Sequence, residues 1–468
     1  MKHAVRNDCA RSRCIALVLG LALAACGGGG GDGAPGGSDA VSSSGNPADS
    51  AGGIGAGIGG TGAGTSAPGV FTAFGPVTVA AASTVPGDGA GQGPRVARLA
   101  GGGAVVTWLS GPSLLAQQVD AGGRNVGAPL EVARLSPPVR SHGVTGLANG
   151  DWVVAWASST VPQDRSARAF TKTVQTRRYG GDGTLLQDTT LVDPTVYSDV
   201  DPELNVKATA DGGHVVAWSG SLGLAAPREA FFRRFPADGA AAGEAAKVSG
   251  IGGDQSQLQV APLSDGSVVI AWLQGAGGGA NGGSGFAIHT RRFGAGSDAL
   301  GPEQVVQASA AASTFQFAAT RVAGDRVAVL WSQPVGDTRV PIEARWQLLD
   351  PDGSAATPMG AIAVAPVIDD LEIAPSGAGF TGFVQDSTAT GRVFVARLGS
   401  FAVDGNGALQ GGIDTLARRN ITSVSPTTGD VTGPAGTRFS VDGAADDHFA
   451  AAYDTAIAGG AEVDVLGR

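Results

Sequence analysis

The sequence predicts an all-β fold built from a repeated four-stranded antiparallel unit, and three observations carry that expectation. The first is a strand spelled repeatedly: DGGHVVAW (211–218), DGSVVIAW (265–272), NGDWVVAW (149–156) and GGGAVVTW (101–108). The second is its spacing. Aromatic anchors close this strand at Trp108, Trp156, Trp218, Trp272 and Trp331, then less clearly at Phe383 and Tyr453, roughly fifty to sixty residues apart. The third is the state of the ends. The last unit stops one strand short, and an unmatched strand precedes the first unit.

Within each unit the elements follow in a fixed order. A short strand alternating between polar and apolar residues leads into an Asp-Gly, Asn-Gly or Gly-rich turn, where glycine supplies the positive φ of a tight hairpin. The anchor strand comes next. VVAW and VVIAW are continuous apolar runs, as a strand covered on both faces requires. After a variable loop comes a strand rich in arginine: VQTRRYG (174–180), AFFRRFP (230–236), AIHTRRFG (287–294) and IEARWQLL (342–349). Its alternation suits an outer position with one face in solvent. A second Gly turn, as in GGDG (180–183), ADG (237–239) and PDG (351–353), leads to a closing strand such as PEQVVQAS (302–309).

Four short antiparallel strands recurring at this period mark the blade of a β-propeller, because one blade cannot bury both of its faces while neighbours around an axis can. Seven anchors predict seven blades. FAAAYDT (449–455) and AEVDVLGR (461–468) supply two strands of the last blade, which lacks its fourth. FGPVTVAAAS (74–83) is similar to LGPEQVVQAS (300–309), so an N-terminal strand would complete that blade and close a domain over 70–468. The unit also resembles a repeat of secreted bacterial proteins, some of them adhesin-like, with the pattern DGGfVVaW. AIHTRRFGAGSDALGPEQVV (287–306) shows it best. That resemblance implies a propeller in an extracytoplasmic setting and brings no catalytic residues with it.

Ahead of the repeats, Lys2, Arg6, Arg11 and Arg13 precede the apolar stretch CIALVLGLALAA (14–25), which is too short to span a bilayer. LAAC (23–26) resembles the lipobox of bacterial lipoproteins. The resemblance implies a signal peptide over 1–25, cleavage before Cys26, acylation of that cysteine, and a membrane partner reached through lipid. Gly27 in the following position is compatible with sorting to the outer membrane of a Gram-negative cell, facing either the periplasm or the outside. Residues 26–69 are nearly all Gly, Ala, Ser, Pro and Asp, a composition that cannot offset the entropy of ordering. As a disordered tether they would span roughly 35–40 Å. Cys9, Cys14 and Cys26 are the only cysteines, so the repeat region holds neither a disulfide nor a thiolate metal site.

Charge excludes one partner class. Removing 1–25 takes away four of 31 basic and one of 41 acidic residues, leaving 27 against 40, a surface that repels nucleic acid phosphates. Catalytic signatures are missing as well. No lysine of the repeat region follows a glycine, no histidine precedes a glutamate, and there is no G-x-S-x-G elbow. His142, His214, His289 and His448 fall in different units, and His214 occupies a variable position in a repeat strand, where packing explains it best. Ser264, Asp265 and Gly266 are contiguous, so they do not form the S-x-D-x-G box of sialidases. No cofactor is expected. The Asp-Gly pairs admit a structural calcium, but each offers too few oxygens for one, and turn chemistry explains them.

The long loops of a propeller share one face, and function is expected there. Three acidic segments reach it: YSDVDPE (197–203), GGDQSQ (252–257) and IDD (368–370). Asp201 and Asp254 stand ten and eleven residues before the turn aspartates Asp211 and Asp265, at similar depth. With Tyr197, Asp199, Asp369 and Asp370 they form a candidate ligand rim at the channel mouth, set against the plainer reading of solvated acidic loops. Functionally the sequence points to a lipid-anchored binding or scaffold module for an envelope protein or glycan. The alternatives are a carbohydrate-active hydrolase or lyase using acidic residues at that mouth, or a structural subunit of an outer-membrane assembly, which would expose an apolar flank.

Overall fold

The computed structural model describes residues 77–80, 94–134, 141–160, 171–197, 203–221, 227–275, 286–309, 316–334, 342–364, 368–390, 393–420, 423–424, 431–432, 439–443, 449–454 and 463–467. All of them belong to Ser66–Arg468, the second of the two units into which the chain divides. The expected signal peptide, Cys26 and the tether lie outside the described residues.

The described residues are all-β apart from turns and one 3-10 turn at Ala323–Asp325. Antiparallel sheets of four strands follow the chain. One comprises Arg95–Arg98, Ala104–Ser110, Ser113–Val119 and Asn125–Arg134. Two consecutive runs come next, His142–Gly146 to Leu185–Tyr197 and Leu204–Ala208 to Ala242–Lys247, joined into one eight-stranded sheet by the single pair Tyr197 and Ser221. Further four-stranded sheets run from Gln255–Pro262 to Gln304–Ser309, from Phe317–Arg321 to Gly360–Ala363, and from Ile368–Ser376 to Leu409–Asn420. In the last, Phe439–Gly443, Phe449–Asp454 and Val463–Gly467 are completed by Val77–Ala80, with Val77 opposite Val465 and Thr78 opposite Asp464.

The anchor strands behave as their apolar runs require. Every described residue of His214–Ser221 and Val268–Gly275 is buried, and Trp218, Trp272, Trp331 and Phe383 are fully shielded from solvent. The side chain of Tyr453 lies outside the described residues. Core clusters form between successive sheets rather than within one. Leu330 and Trp346 pack with Leu371, Phe380 and Phe401 of the next sheet, and Val106 and Trp108 pack with Ala450 of the last. Burial on both faces thus depends on neighbours, which gives a β-propeller-like arrangement. The first strands of the sheets lie side by side: Arg95–Arg98 against His142–Gly146, then Leu204–Ala208, Gln255–Pro262, Phe317–Arg321, Ile368–Ser376 and Phe439–Gly443, which in turn lies against Arg95–Arg98.

These first strands approach so closely at Gly146 that a Cβ there would collide with the backbone carbonyl of Arg98. Gly146→Ala is expected to lower the thermal midpoint of unfolding, with an overpacking cost of about 1–3 kcal/mol. An unchanged midpoint would mean that the two strands separate freely.

Asp-Gly chemistry shapes the hairpins as anticipated. Gly183, Gly212, Gly266 and Gly353 have φ values of 83°, 83°, 80° and 87°. The carboxylates of Asp182, Asp265 and Asp352 accept hydrogen bonds from the hydroxyls and amides of Thr184, Ser267 and Ser354. These bonds, hydroxyl first, hold the three carboxyls below the usual aspartate range.

The arginine strands differ from expectation. They stand third in their sheets, and their guanidinium groups clasp rather than decorate. Arg178 pairs with Asp151 of its own hairpin at 2.7 Å and donates to the Ala237 carbonyl of the next sheet. Arg234, only 4% exposed, donates to Gly266 in the following sheet at 2.6 Å. Arg233 reaches the other way, to the Val192 carbonyl at 3.0 Å. Period-2 alternation reads a solvent face correctly only when the long polar side chain ends in water, and a guanidinium also finds carbonyls.

Candidate functional site

The first strand of each sheet has one edge bare of strand partners, which leaves a row of backbone N–H groups to satisfy. Side chains from the preceding first strand meet that need. Ser440 and Asp442 accept from the amides of Val96 (3.3 Å) and Arg98 (2.9 Å). Thr145 accepts from Ala208 (3.1 Å), Gln257 from Phe317 (3.3 Å) and Asp370 from Phe439 (3.4 Å). Glu203 accepts from the Gln257 amide. This is why the first strands alternate: their apolar residues enter the cores between sheets, and their polar residues bridge the bare edges.

A cluster of five charged groups gathers at the first strands: the charges of Arg95, Lys207, Asp370 and Asp442 all act on Glu372. Lys207 Nζ lies 3.5 Å from Asp442 Oδ1, although Leu204–Ala208 and Phe439–Gly443 are not adjacent in the order of first strands. These strands therefore face each other across a narrow gap. Glu372 is half-buried. Burial first, and then the negative charge of Asp370, push its carboxyl up to about 8, against the opposing pull of Arg95 and Lys207. Near neutral pH the group holds its proton.

The commitments of the five differ. Asp442 is taken by Lys207 and the Arg98 amide, and Asp370 by the amides of Leu371 (3.0 Å) and Phe439. Among the described residues the Arg95 guanidinium and the Glu372 carboxyl make no hydrogen bond or ion pair. The buried Oδ1 of Asn205 also lacks a partner, while its amide nitrogen donates to Gln259 at 3.4 Å. His142 neighbours this cluster. Its Nε2 is 3.3 Å from the Thr107 carbonyl, its Nδ1 is unpartnered, and burial, followed by the charge of Arg95, drives its pKa down to about 3.

The residues of the sequence-derived rim are placed as follows. Asp199 and Asp201 lie outside the described residues, as do the side chains of Tyr197, at the end of Leu185–Tyr197, and of Asp369, in Ile368–Ser376. Asp254 is exposed and its carboxylate accepts from the Arg228 amide at 3.0 Å. Asp370 belongs to the charged cluster. Asp254 and Asp370 are thus engaged with amides of different sheets. Sequence reasoning did not single out Arg95, Lys207, Glu372 or Asp442. Their signal was present in the polar members of the alternating first strands, N-x-K at 205–207, D-x-E at 370–372 and S-x-D at 440–442.

His214 is a packing residue, as its repeat position suggested. It is 3% exposed, and its ring stacks on Phe235 at 4.7 Å and 3°. Among the described residues neither ring nitrogen has a partner, and burial lowers its pKa to about 3. His289 Nδ1 lies 3.9 Å from Glu303, while His448 lies outside the described residues.

No protein-family model and no curated protein matches the chain. Among solved structures it is similar to hydrazine synthase of Kuenenia stuttgartiensis, at 10% identity over 79% of this chain and 94% of that one, with a TM-score of 0.43. A protein of unknown function from Dyadobacter fermentans matches at 10% identity over 72% and 96%, with a TM-score of 0.42. An α-L-arabinofuranosidase from Lactobacillus brevis matches at 10% identity over 56% and 92%, with a TM-score of 0.34. Likeness at this level leaves the functional reading to the chain's own residues.

Proposed function

We propose that the chain is a lipid-anchored binding module of the bacterial cell envelope, a closed seven-bladed β-propeller whose ligand enters an axial channel between the first strands. The blade count is supported by the succession of first strands that returns to its start, and closure by the pairing of Val77–Ala80 with Val463–Gly467. The convergence of the first strands on a common axis is supported by the contact between Lys207 and Asp442 across non-adjacent strands. The observation that carries the binding role is the set of polar groups there that have no partner among the described residues, namely Arg95, Glu372 and Asn205 Oδ1. Elsewhere the cluster's side chains close the bare strand edges, so these three stand out as groups whose partner comes from outside.

One observation favours the second reading, a hydrolase: Glu372, whose carboxyl burial pushes up to about 8, stands beside a second carboxyl, that of Asp370, as the members of an acid and base pair do. The two stand two residues apart on one strand, however, so they approach a substrate from the same side. A glycosidase needs its carboxyls on opposite sides of the scissile bond. Asp442, the carboxylate on the neighbouring first strand, is neutralised by Lys207.

The test is a panel of envelope glycans and soluble polysaccharides, scored for both retention and cleavage. Retention without cleavage, lost in an Arg95→Gln variant, is the expected result. Cleavage that Glu372→Gln abolishes would establish the hydrolase instead. For the anchor, Cys26→Ala is expected to move the protein from the membrane fraction to the soluble fraction, and continued membrane association would dismiss acylation at Cys26.

A further inference from the structure

Beyond Cys26 the chain holds a single sulfur atom, that of Met359. The residue is 43% exposed and stands just ahead of the last strand of its sheet, Gly360–Ala363. Its backbone is held on both sides. Gly360 pairs with Trp346 so closely that a Cβ there would collide with the indole ring. Thr357 accepts hydrogen bonds from the Gln347 side chain at 3.0 Å and the Leu348 amide at 3.2 Å. Met359 therefore keeps one place relative to the third strand, Ile342–Leu349, while staying open to solvent.

On that strand Arg345 donates from Nη1 to the Met359 sulfur at 4.0 Å, a long contact to a weak acceptor. Its Nε is fixed by Glu343 at 3.0 Å, so the guanidinium is already positioned beside the sulfur. Other third-strand arginines end on oxygen. Arg177 and Arg233 direct Nη1 at the carbonyls of Val132 and Val192, and Arg291 directs Nη1 at the Glu303 carboxylate, 3.6 Å away. Among the described residues, Arg345 Nη1 meets only a thioether where these three hold an oxygen. A sulfoxide would supply one. Its oxygen is a strong acceptor standing one bond out from the sulfur, so a gap of 4.0 Å shortens to an ordinary hydrogen-bond length.

We propose that Met359 is a site of oxidation by a hydroperoxide, and that Arg345 guides the oxygen onto the sulfur and holds the sulfoxide that results. A sulfur lone pair attacks one oxygen of the peroxide. The S–O bond forms as the O–O bond breaks, so the thioether is oxidised by two electrons and the peroxide is reduced. The proton of the transferred hydroxyl passes to the departing hydroxide, which leaves as water when the oxidant is hydrogen peroxide. Arg345 donates to the oxygen on its own side of the sulfur, and one of the two sulfoxide epimers is favoured. Oxidation turns a flexible apolar side chain into a polar one. With the oxygen tied to Arg345, that change stays at the rim of the sheet. The buried Trp346 behind it keeps its bond to the Gly407 carbonyl of the next sheet, at 3.0 Å. This inference is independent of the binding role above.

Treating the folded full chain with hydrogen peroxide, then digesting it for peptide mass spectrometry, tests the site. One added oxygen, about 16 Da, is expected on the peptide holding Met359. Two sulfoxide reductases of opposite epimer specificity then read the stereochemistry. The folded parent should give one epimer in about threefold excess or more, as one modest hydrogen bond provides, while protein oxidised in concentrated urea gives both evenly. Arg345→Leu, checked for folding by thermal melting, should lose the excess and oxidise about threefold more slowly. Arg345→Lys, which keeps a donor but not its placement, should fall between. Even epimers in the folded parent, or an excess and a rate unchanged in Arg345→Leu, would show that exposure alone governs the sulfur and overturn the proposal. A Met359 peptide that takes up no oxygen overturns it as well. If Arg345→Leu does not fold, the decision passes to Arg345→Lys, where an excess and a rate equal to the parent's remove the role of the guanidinium.

Discussion

Trp331→Ala is expected to lower the stability of the protein by about 3–5 kcal/mol. The ring is fully buried in a core shared between two sheets, packed with Leu263, Val269 and Leu273 of one and Val329 and Leu349 of its own. Alanine removes the largest side chain of that cluster, and the void cannot close readily because the two anchor strands that line it, Val268–Gly275 and Val327–Pro334, are each fixed by ladders on both sides. The effect should pass to the preceding sheet, since the deleted contacts belong equally to it. Denaturant unfolding followed by circular dichroism gives the size of the loss. Hydrogen exchange at Val268–Gly275 tests its spread. If exchange there stays at the parent level while Val327–Pro334 opens, the two sheets do not depend on each other for burial, and the account of the fold given above fails. By the same logic Trp218→Ala, in a core formed with Val153, Ala155 and Val174, should loosen the preceding run.

That mutual dependence is also why so much of the fold was legible. The anchor strand needs cover on both faces, so its apolar run is continuous and recurs wherever a sheet recurs. The turns need positive φ, and Asp-Gly marks them. The sheet at 368–420 was hardest to recognise, and its strands explain why. Gly379–Thr390, Val393–Val403 and Leu409–Asn420 run to 12, 11 and 12 residues, whereas the second, third and last strands of the sheet at 255–309 have 8, 8 and 6. Its core is refashioned around Phe380, Phe383 and Phe401, the last lying over Gly382, so the tryptophan signature disappears while the burial survives.

The charged cluster was not legible for a different reason. Arg95, Lys207, Glu372 and Asp442 come from four separate strands, and only the order of the first strands brings them into one another's field. An acidic loop announces itself as a local run of aspartates. Convergence across 347 positions, from Arg95 to Asp442, has no local signature. Similarly, nothing in the strand AIHTRRF or HVVAW distinguishes a buried histidine from an exposed one until its neighbours are placed.

The buried histidines carry the second large expectation, a steep loss of stability in mild acid. His142 and His214 are both about 3% exposed, and burial drives both pKa values from 6.5 to about 3. Below pH 6.5 the unfolded chain takes up a proton at each site while the folded chain refuses it until about pH 3, so the unfolded state binds more protons throughout that window. Stability is therefore intact above pH 6.5 and falls as the pH drops toward 3, by on the order of 2 kcal/mol for each histidine by pH 5. His214→Phe isolates one of them. Phenylalanine preserves the stack on Phe235, and neither ring nitrogen has a hydrogen-bond partner among the described residues to lose. The variant should match or exceed the parent at pH 7.5, gain on it steadily as the solution is acidified to pH 5, and release one fewer proton linked to folding. His142→Phe should not behave alike, since it deprives the Thr107 carbonyl of its 3.3 Å contact. Parallel stability curves for the parent and His214→Phe between pH 7.5 and 5 would show that His214 charges as readily in the folded protein as in the unfolded chain, and that water reaches a ring placed here in the dry interior.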